Sequence, residues 1–241
     1  RYATYVGGSP LESPALLSLI WQAEARGVWS VKGGMKKLAR VLEKLAADRG
    51  ASFHYNTEVK NLNIKHDRLV SVTDNLNISH EAEKFIFNGD PRALALGRLG
   101  QKVKKAASKE ADCERSLSAY VWGFDAKVSG PDLVHHNVFF SDVTNSEFYD
   151  IKKGKMPVDP SIYICAQDRG KNAPYPTTER FEIILNAPPV SKRKSTPEDY
   201  EKCKEITFKR LEMFGLTFQS KLKRENLTTP QDFEGLFPAS D

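Results

Sequence analysis

Residues 29–59 read WSVKGGMKKLARVLEKLAADRGASFHYNTEV. Met35, Leu38, Leu42 and Leu45 recur at helical spacing on one side, while Lys36, Lys37, Arg40, Glu43 and Lys44 take the other. This is the pattern of an amphipathic helix lying on a sheet. Gly50 follows the last apolar turn as a C-cap, and 51–59 reads as an extended segment entering the sheet. Gly33-Gly34 ahead of the helix allows a tight turn and leaves backbone N–H groups uncovered at a helix N-terminus, one way in which proteins meet phosphate. An ordinary loop-helix-strand unit is the other reading of the same residues.

Working outward, 13–26 (SPALLSLIWQAEAR) is an apolar helix with Pro14 suited to its first turn and Gly27 to its end. With Ile20 and Trp21 it is hydrophobic over most of its circumference, so it is buried or faces an apolar ligand. Downstream, 59–64 and 69–73 alternate around Lys65-His66-Asp67-Arg68, a hairpin signal, and 84–87 is expected as a third strand. It ends in Asn88-Gly89-Asp90-Pro91 ahead of a Pro-started helix over 91–98. Open sheets bind ligands at such strand-end loops, although a plain connecting turn has the same composition.

From residue 115 the character changes. Segments 116–126, 136–140, 162–166 and 181–186 are short β-rich runs, with one helix-like piece over 144–153. No helix follows each strand in turn, so the sheet is expected to be antiparallel. Thr196 as N-cap, with Glu198 and Asp199 at the positive end of the dipole, starts a helix to about 214. The tail, 227–241, reads as turn-rich and closing nothing.

The 241 residues are 40% apolar and 28% charged, without a run of about 18 apolar residues to span a bilayer. The opening residues carry neither an export signal nor a start methionine, so the chain is expected to be a piece of a larger protein. Cys113, Cys165 and Cys203 are odd in number and far apart, which points to reduced thiols and a cytoplasmic setting. Net charge is +5, with basic clusters at 102–109, 192–194 and 202–224. No nucleic-acid motif accompanies them, so no nucleic-acid partner is expected. A solvated face and attraction to an anionic membrane surface remain the two readings.

Self-contained chemistry is nearly absent. His135 and His136 are adjacent and should point to opposite sides of a strand, so no metal site is expected. There is no GxSxG, HExxH or P-loop, and Asp142 and Asp150 read as helix-capping acids. No catalytic residue is named.

The 28–59 segment together with FIFNGDPRAL (85–94) resembles the flavin-containing amine oxidase and phytoene desaturase superfamily. There a Gly-Gly-Met turn, a helix and an N-T-x-V strand precede a strand ending in N-A/G-D-P. The stretches LSAYVWGFDA, HHNVFFSDVTNSEFYDI, DPSIYICAQDR, LNAPP and LTTPQDFEGLFPASD are similar to bacterial carotenoid desaturases of the methoxyneurosporene dehydrogenase type, the 1-hydroxycarotenoid 3,4-desaturases. The resemblance runs from end to end.

It implies an α/β (α+β overall) chain, in which part of a split FAD-binding domain is joined to a mainly antiparallel substrate domain. Its expected divisions are 1–28 in the substrate domain, 29–100 as the second half of the FAD domain, and 101–241 in the substrate domain. It also implies FAD as cofactor, a carotenoid as substrate and a peripheral position on a membrane surface. Carried over residue by residue, Val59 lies beside the adenine, Asn88, Gly89 and Asp90 near the pyrophosphate or ribose, and Gly33, Gly34 and Met35 near the flavin side. The family's GxGxxG and its C-terminal glycine-rich flavin segment have no match here. A polyene needs an apolar tunnel, and Phe124, Phe139, Phe140, Tyr163 and helix 14–21 are candidates for its lining, or else plain core. The alternatives are a phytoene desaturase or isomerase, and an apolar-lipid-binding module without redox activity.

Overall fold

A computed structural model describes residues 2–143, 145–170 and 174–240. The chain combines helices with antiparallel sheets and forms two compact units, one of residues 14–113 and one of 1–13 with 114–241.

The first unit holds helices α1 (Ser18–Glu24) and α2 (Met35–Ala47), a sheet of β1 (Val59–Lys65), β2 (Arg68–Asp74) and β3 (Ser79–Glu81), and helix α3 (Pro91–Ala95). The hairpin forms where the sequence places it, with His66 and Asp67 both at positive φ in the turn. The third strand is Ser79–Glu81 and not 84–87, which carries no ladder. Asp74 selects that outcome: its carboxylate accepts from the Leu76 and Ile78 amides at 2.8 and 2.9 Å and meets His80 Nε2 at 2.9 Å, closing the β2–β3 turn. Residues 51–57 likewise do not extend β1. They fold back on α2, where the Tyr55 hydroxyl donates to Glu43 Oε1 at 2.7 Å beside Phe53.

Two expectations of burial fail in this unit. No residue of α1 is buried, and Trp21 is 66% exposed. The apolar stripe of α2 is uncovered too, with Met35 at 69% and Leu42 at 56%. Helical periodicity states which face is apolar; it does not state what covers that face.

The second unit is built on one six-stranded antiparallel sheet. Its strands are β4 (Ser118–Ser129), β5 (His136–Phe139), β6 (Ile162–Ala166), β7 (Glu179–Ala187) and β8 (Thr217–Gln219) in the order β5-β6-β7-β4-β8, with β9 (Leu227–Thr228) also pairing β4. Helix α4 (Ser146–Lys152) follows β5, and α5 (Glu198–Met213) precedes β8. Period-two alternation puts Tyr120, Trp122 and Phe124 of β4 on one face with Leu185, Ile183 and Phe181, their register partners on β7. The α5 side chains Tyr200 and Phe208 pack on Trp122 at ring-centroid distances of 5.5 and 5.6 Å, and Phe218 of β8 joins Phe124 at 5.5 Å. Each such buried side chain contributes about 1.5–3 kcal/mol, so this face holds the unit together.

Thr196 does not cap α5. The buried Asp199 reaches back to the Thr196 amide at 2.8 Å and pairs with Arg193 at 2.5 Å. Lys192 is paired with Glu114 at 2.9 Å, so two of the three cations at 192–194 are engaged within the chain. The tail also differs from expectation. β9 adds to the sheet, and α6 (Pro230–Leu236) starts on a capping box in which Thr229 and Asp232 exchange hydrogen bonds. Among the described residues no helix is long and apolar enough to cross a membrane. All three cysteines are free thiols.

Candidate functional site

The sheet face opposite α5 carries an apolar concavity of about 500 Å³. Its floor is one cross-strand row, Val138–Tyr163–Ile184–Val121, each residue the register partner of the next across β5, β6, β7 and β4. Because side chains alternate along a strand, the alternation that builds the α5 core also leaves this row facing the other way. Phe140 and Phe148 stand at one wall, and Phe233 and Phe237 of the α6 region at another, with Thr4 and Pro10 from the N-terminal segment.

One carboxylate sits in this lining. Glu147, on α4, is 2% exposed. Its Oε1 accepts from Asn186 Nδ2 at 2.9 Å and its Oε2 from the Ser161 amide at 3.1 Å. Burial pushes its carboxyl above the usual range, and the two donors offset only part of that. In the sequence Glu147 reads only as one residue of a helix-like piece, although it falls within the HHNVFFSDVTNSEFYDI stretch that carries the family resemblance. Asp142 and Asp150 do not cap α4, whose N-cap is Asn145 with left-handed backbone. Asp159 instead organises the loop before α4: Asp159 Oδ2 accepts from Ser141 Oγ at 2.9 Å and the Asp142 amide at 2.8 Å, and its other oxygen pairs with Arg210 of α5.

Of the expected tunnel residues, Phe140 and Tyr163 line the cavity. Phe124 belongs to the opposite core face, and Phe139 packs there on Phe214 at 5.1 Å. Helix α1 lies in the other compact unit and lines none of it.

The CAQDR stretch (165–169) holds the far end of the sheet. Arg169 Nε and Nη2 donate to Glu179 at 2.7 and 2.9 Å, Nη1 donates to the Leu133 carbonyl at 2.9 Å, and the guanidinium lies 4.4 Å from the Tyr175 ring centroid. Hydrogen bonding to Glu179 holds the Arg169 guanidinium above its ordinary value. His135 and His136 do not point apart. His135 precedes β5, and the two rings meet edge to face at 4.4 Å.

The residues expected near a dinucleotide fall on three segments of the first unit. Gly33 (φ 92°) and Gly34 (φ 81°) form the turn into α2, with Met35 as the first helical residue. Among the described residues no atom other than those of its chain neighbours lies within 4 Å of where a Gly34 Cβ would stand, so the turn is open to an approaching group. Val59 is the first residue of β1, paired with Asp74. Asn88 and Gly89 are exposed, and Asp90 accepts from the Arg92 amide at 2.8 Å as the N-cap of α3. A Cβ on Gly89 would stand 2.6 Å from the Phe87 ring, so a larger residue there would have to displace the Phe87 side chain.

No protein-family model matches the chain. Among curated proteins it is 47% identical over 240 residues to the hydroxyneurosporene desaturase of Cereibacter sphaeroides and 44% identical over 240 residues to that of Rhodobacter capsulatus, each match covering 100% of this chain and 48% of the relative. A 4,4'-diaponeurosporene oxygenase of Staphylococcus aureus is 30% identical over 240 residues, covering 97% of this chain and 48% of the relative. The chain therefore spans about half the length of the curated relatives it matches.

Proposed function

We propose that this chain, a homologue of the carotenoid desaturases along its whole length, belongs to an FAD-dependent enzyme that desaturates an acyclic carotenoid carrying a 1-hydroxy or 1-methoxy end. The observation that carries this reading is the cavity whose floor is the Val138–Tyr163–Ile184–Val121 row. A polyene offers almost no polar atoms, so its recognition must come from apolar burial, about 2.5 kcal/mol for each 100 Å² removed from water. Phe140, Phe148, Phe233 and Phe237 supply flat surfaces for that burial and exclude water from the chain they cover. Among the polar groups of the lining, the Asn186 amide and the Glu147 carboxyl form a hydrogen-bonded pair that could meet the oxygen of a hydroxyl or methoxy end. Burial raises the Glu147 carboxyl and so favours its protonated form, the form that can donate as well as accept.

FAD would be met by Gly33, Gly34 and Met35 at the open turn into α2, by Val59, and by Asn88, Gly89 and Asp90. The fit rests on the open Cβ position at Gly34 and on the exposure of Asn88 and Gly89. When bound, the flavin supplies the hydride acceptor that no amino-acid side chain provides. The expected boundaries, 1–28, 29–100 and 101–241, enter this reading as the substrate, cofactor and substrate portions. A cytoplasmic position against a membrane surface belongs to it as well, supported by the exposed Leu16, Leu19, Trp21 and Trp29.

The test is to express the complete protein in cells that accumulate a 1-hydroxycarotenoid and to extract the pigment. The expected product is longer in conjugation by one C=C bond at the 3,4 position, made by a protein purified with bound flavin. A new double bond at a phytoene position instead would favour the phytoene desaturase reading. A colourless protein that cannot be reconstituted with FAD would refute both.

A further inference from the structure

We propose that His135, His136 and Cys165 form a binding site for zinc(II), with the fourth coordination position open to water. One ligand atom from each residue lies within 4.8 Å of the other two. The fold brings them together by two independent devices. His136 is the register partner of Cys165 across β5 and β6, so their side chains leave the same face of the sheet. His135 is outside the strand and not bound by its alternation, and it turns its ring onto that of His136 at 4.4 Å.

The distances approach those a zinc ion requires. Tetrahedral coordination at about 2.0–2.1 Å to nitrogen and 2.3 Å to sulfur sets ligand–ligand edges of roughly 3.3–3.6 Å. His135 Nε2 lies 3.7 Å from Cys165 Sγ. The remaining edges are at most 4.8 Å, so each must shorten by no more than about 1.5 Å to reach coordination.

The surroundings are those of ligand histidines. His135 Nδ1 stands 3.0 Å from both the Ala166 and Arg169 carbonyl oxygens, so Nδ1 carries the proton and Nε2 presents its lone pair toward the thiol. A backbone carbonyl on the remote ring nitrogen is the usual orienting partner of a metal-bound histidine. His136 Nδ1 is held by the Tyr163 hydroxyl at 2.6 Å. Arg169, whose carbonyl orients His135, is itself fixed by Glu179 and Leu133. A role for His135 as a simple bracket between two loops accounts for its Nδ1 contacts, but not for the thiol at Nε2 or for His136.

Two imidazoles and one thiolate, without a carboxylate, suit zinc(II) and do not suit magnesium or calcium. The ion would tie β5, the edge strand of the sheet, to β6 and to the 166–170 turn. It would stand one same-face row along from the cavity floor and share Tyr163 with it.

The test uses the complete protein stripped with a chelator and titrated with cobalt(II), then with zinc(II). Expected is one equivalent of cobalt giving intense four-coordinate d–d bands and a thiolate-to-cobalt charge-transfer band, both abolished by zinc. Cys113→Ser should leave the spectrum intact, and Cys165→Ser should remove the charge-transfer band. Tyr163→Phe should weaken cobalt binding about tenfold by removing an orienting partner, and His136→Gln should weaken it further. His136 is exposed, so H136Q keeps the test decisive if C165S does not fold. The proposal is overturned if the stripped protein shows no charge-transfer band at saturating cobalt, if the band persists in C165S, or if H136Q binds as tightly as the unaltered protein. None of these readouts depends on desaturase activity.

Discussion

Removing one member of the Arg169–Glu179 pair should loosen the β6–β7 end of the sheet by an amount that the geometry sets. Arg169 is 10% exposed and Glu179 3%, and two charge-assisted hydrogen bonds join them. Breaking a buried pair on one side typically costs about 3–5 kcal/mol, because a charge is left in a site with little water. In Glu179→Gln the guanidinium keeps the Leu133 carbonyl at 2.9 Å and the Tyr175 ring at 4.4 Å, so the cost should fall to about 2–3 kcal/mol. In Arg169→Met the nearly buried Glu179 carboxylate loses its cation, and the full range of about 3–5 kcal/mol applies. The double variant Arg169→Met with Glu179→Leu replaces the pair by apolar groups and should recover to within about 1–2 kcal/mol of the unaltered protein. Urea unfolding of the complete protein, read by amide hydrogen exchange in β6 and β7, measures all three. A loss under about 1 kcal/mol in Glu179→Gln, as for an exposed pair, would refute the reasoning, as would a double variant no more stable than Arg169→Met.

Three further outcomes are expected. Because burial raises the Glu147 carboxyl in the folded state, the folded protein holds that proton more tightly than the unfolded chain does. Stability from this group is therefore fully present at low pH and declines as pH rises from its ordinary value through the raised one; Glu147→Gln should flatten that stretch of a melting-temperature profile, and an unchanged profile would show that the carboxyl is not desolvated. Val121→Phe places extra volume on the cavity floor and, if the proposed carotenoid occupies it, should lower kcat/KM by about tenfold or more while flavin content stays constant; unchanged turnover would place the substrate elsewhere. Thr229→Ala removes the side-chain half of the capping box that starts α6, leaving the backbone N–H of residue 229 on Asp232, and should destabilise the protein by about 1 kcal/mol in urea, with no shift expected only if α6 forms without its cap.

Much of the second unit was legible because its strands alternate. Burial runs every second residue along Glu179–Ala187, and the same rhythm in 118–129 marks the strand that pairs with it. Residues 84–87 have strand composition but no ladder, since Ser79–Glu81, tied to Asp74 through His80, takes the position beside β2. The cavity was half visible: Phe140 and Tyr163 were named, but Phe124 and Phe139 share their chemistry and face the other way. Composition cannot register which side of the sheet a phenylalanine takes. Glu147 was hidden because a carboxylate in a polar helix is ordinary until Asn186 and Ser161, distant in sequence, close over it.

By itself the sequence determined the elements that depend on local periodicity and turn chemistry: α2, the β1–β2 hairpin, the Pro91 helix start and the alternating strands. It also carried the end-to-end likeness to carotenoid desaturases. Only the tertiary structure decided what each apolar face meets. It left the stripe of α2 and all of α1 uncovered, set Val138, Tyr163, Ile184 and Val121 in one row, and turned His135 and His136 toward the same cysteine. The physical reason is that periodicity is a property of neighbours within a few residues along the chain. Burial, desolvation and ligand geometry depend on partners brought together across strands from distant parts of it.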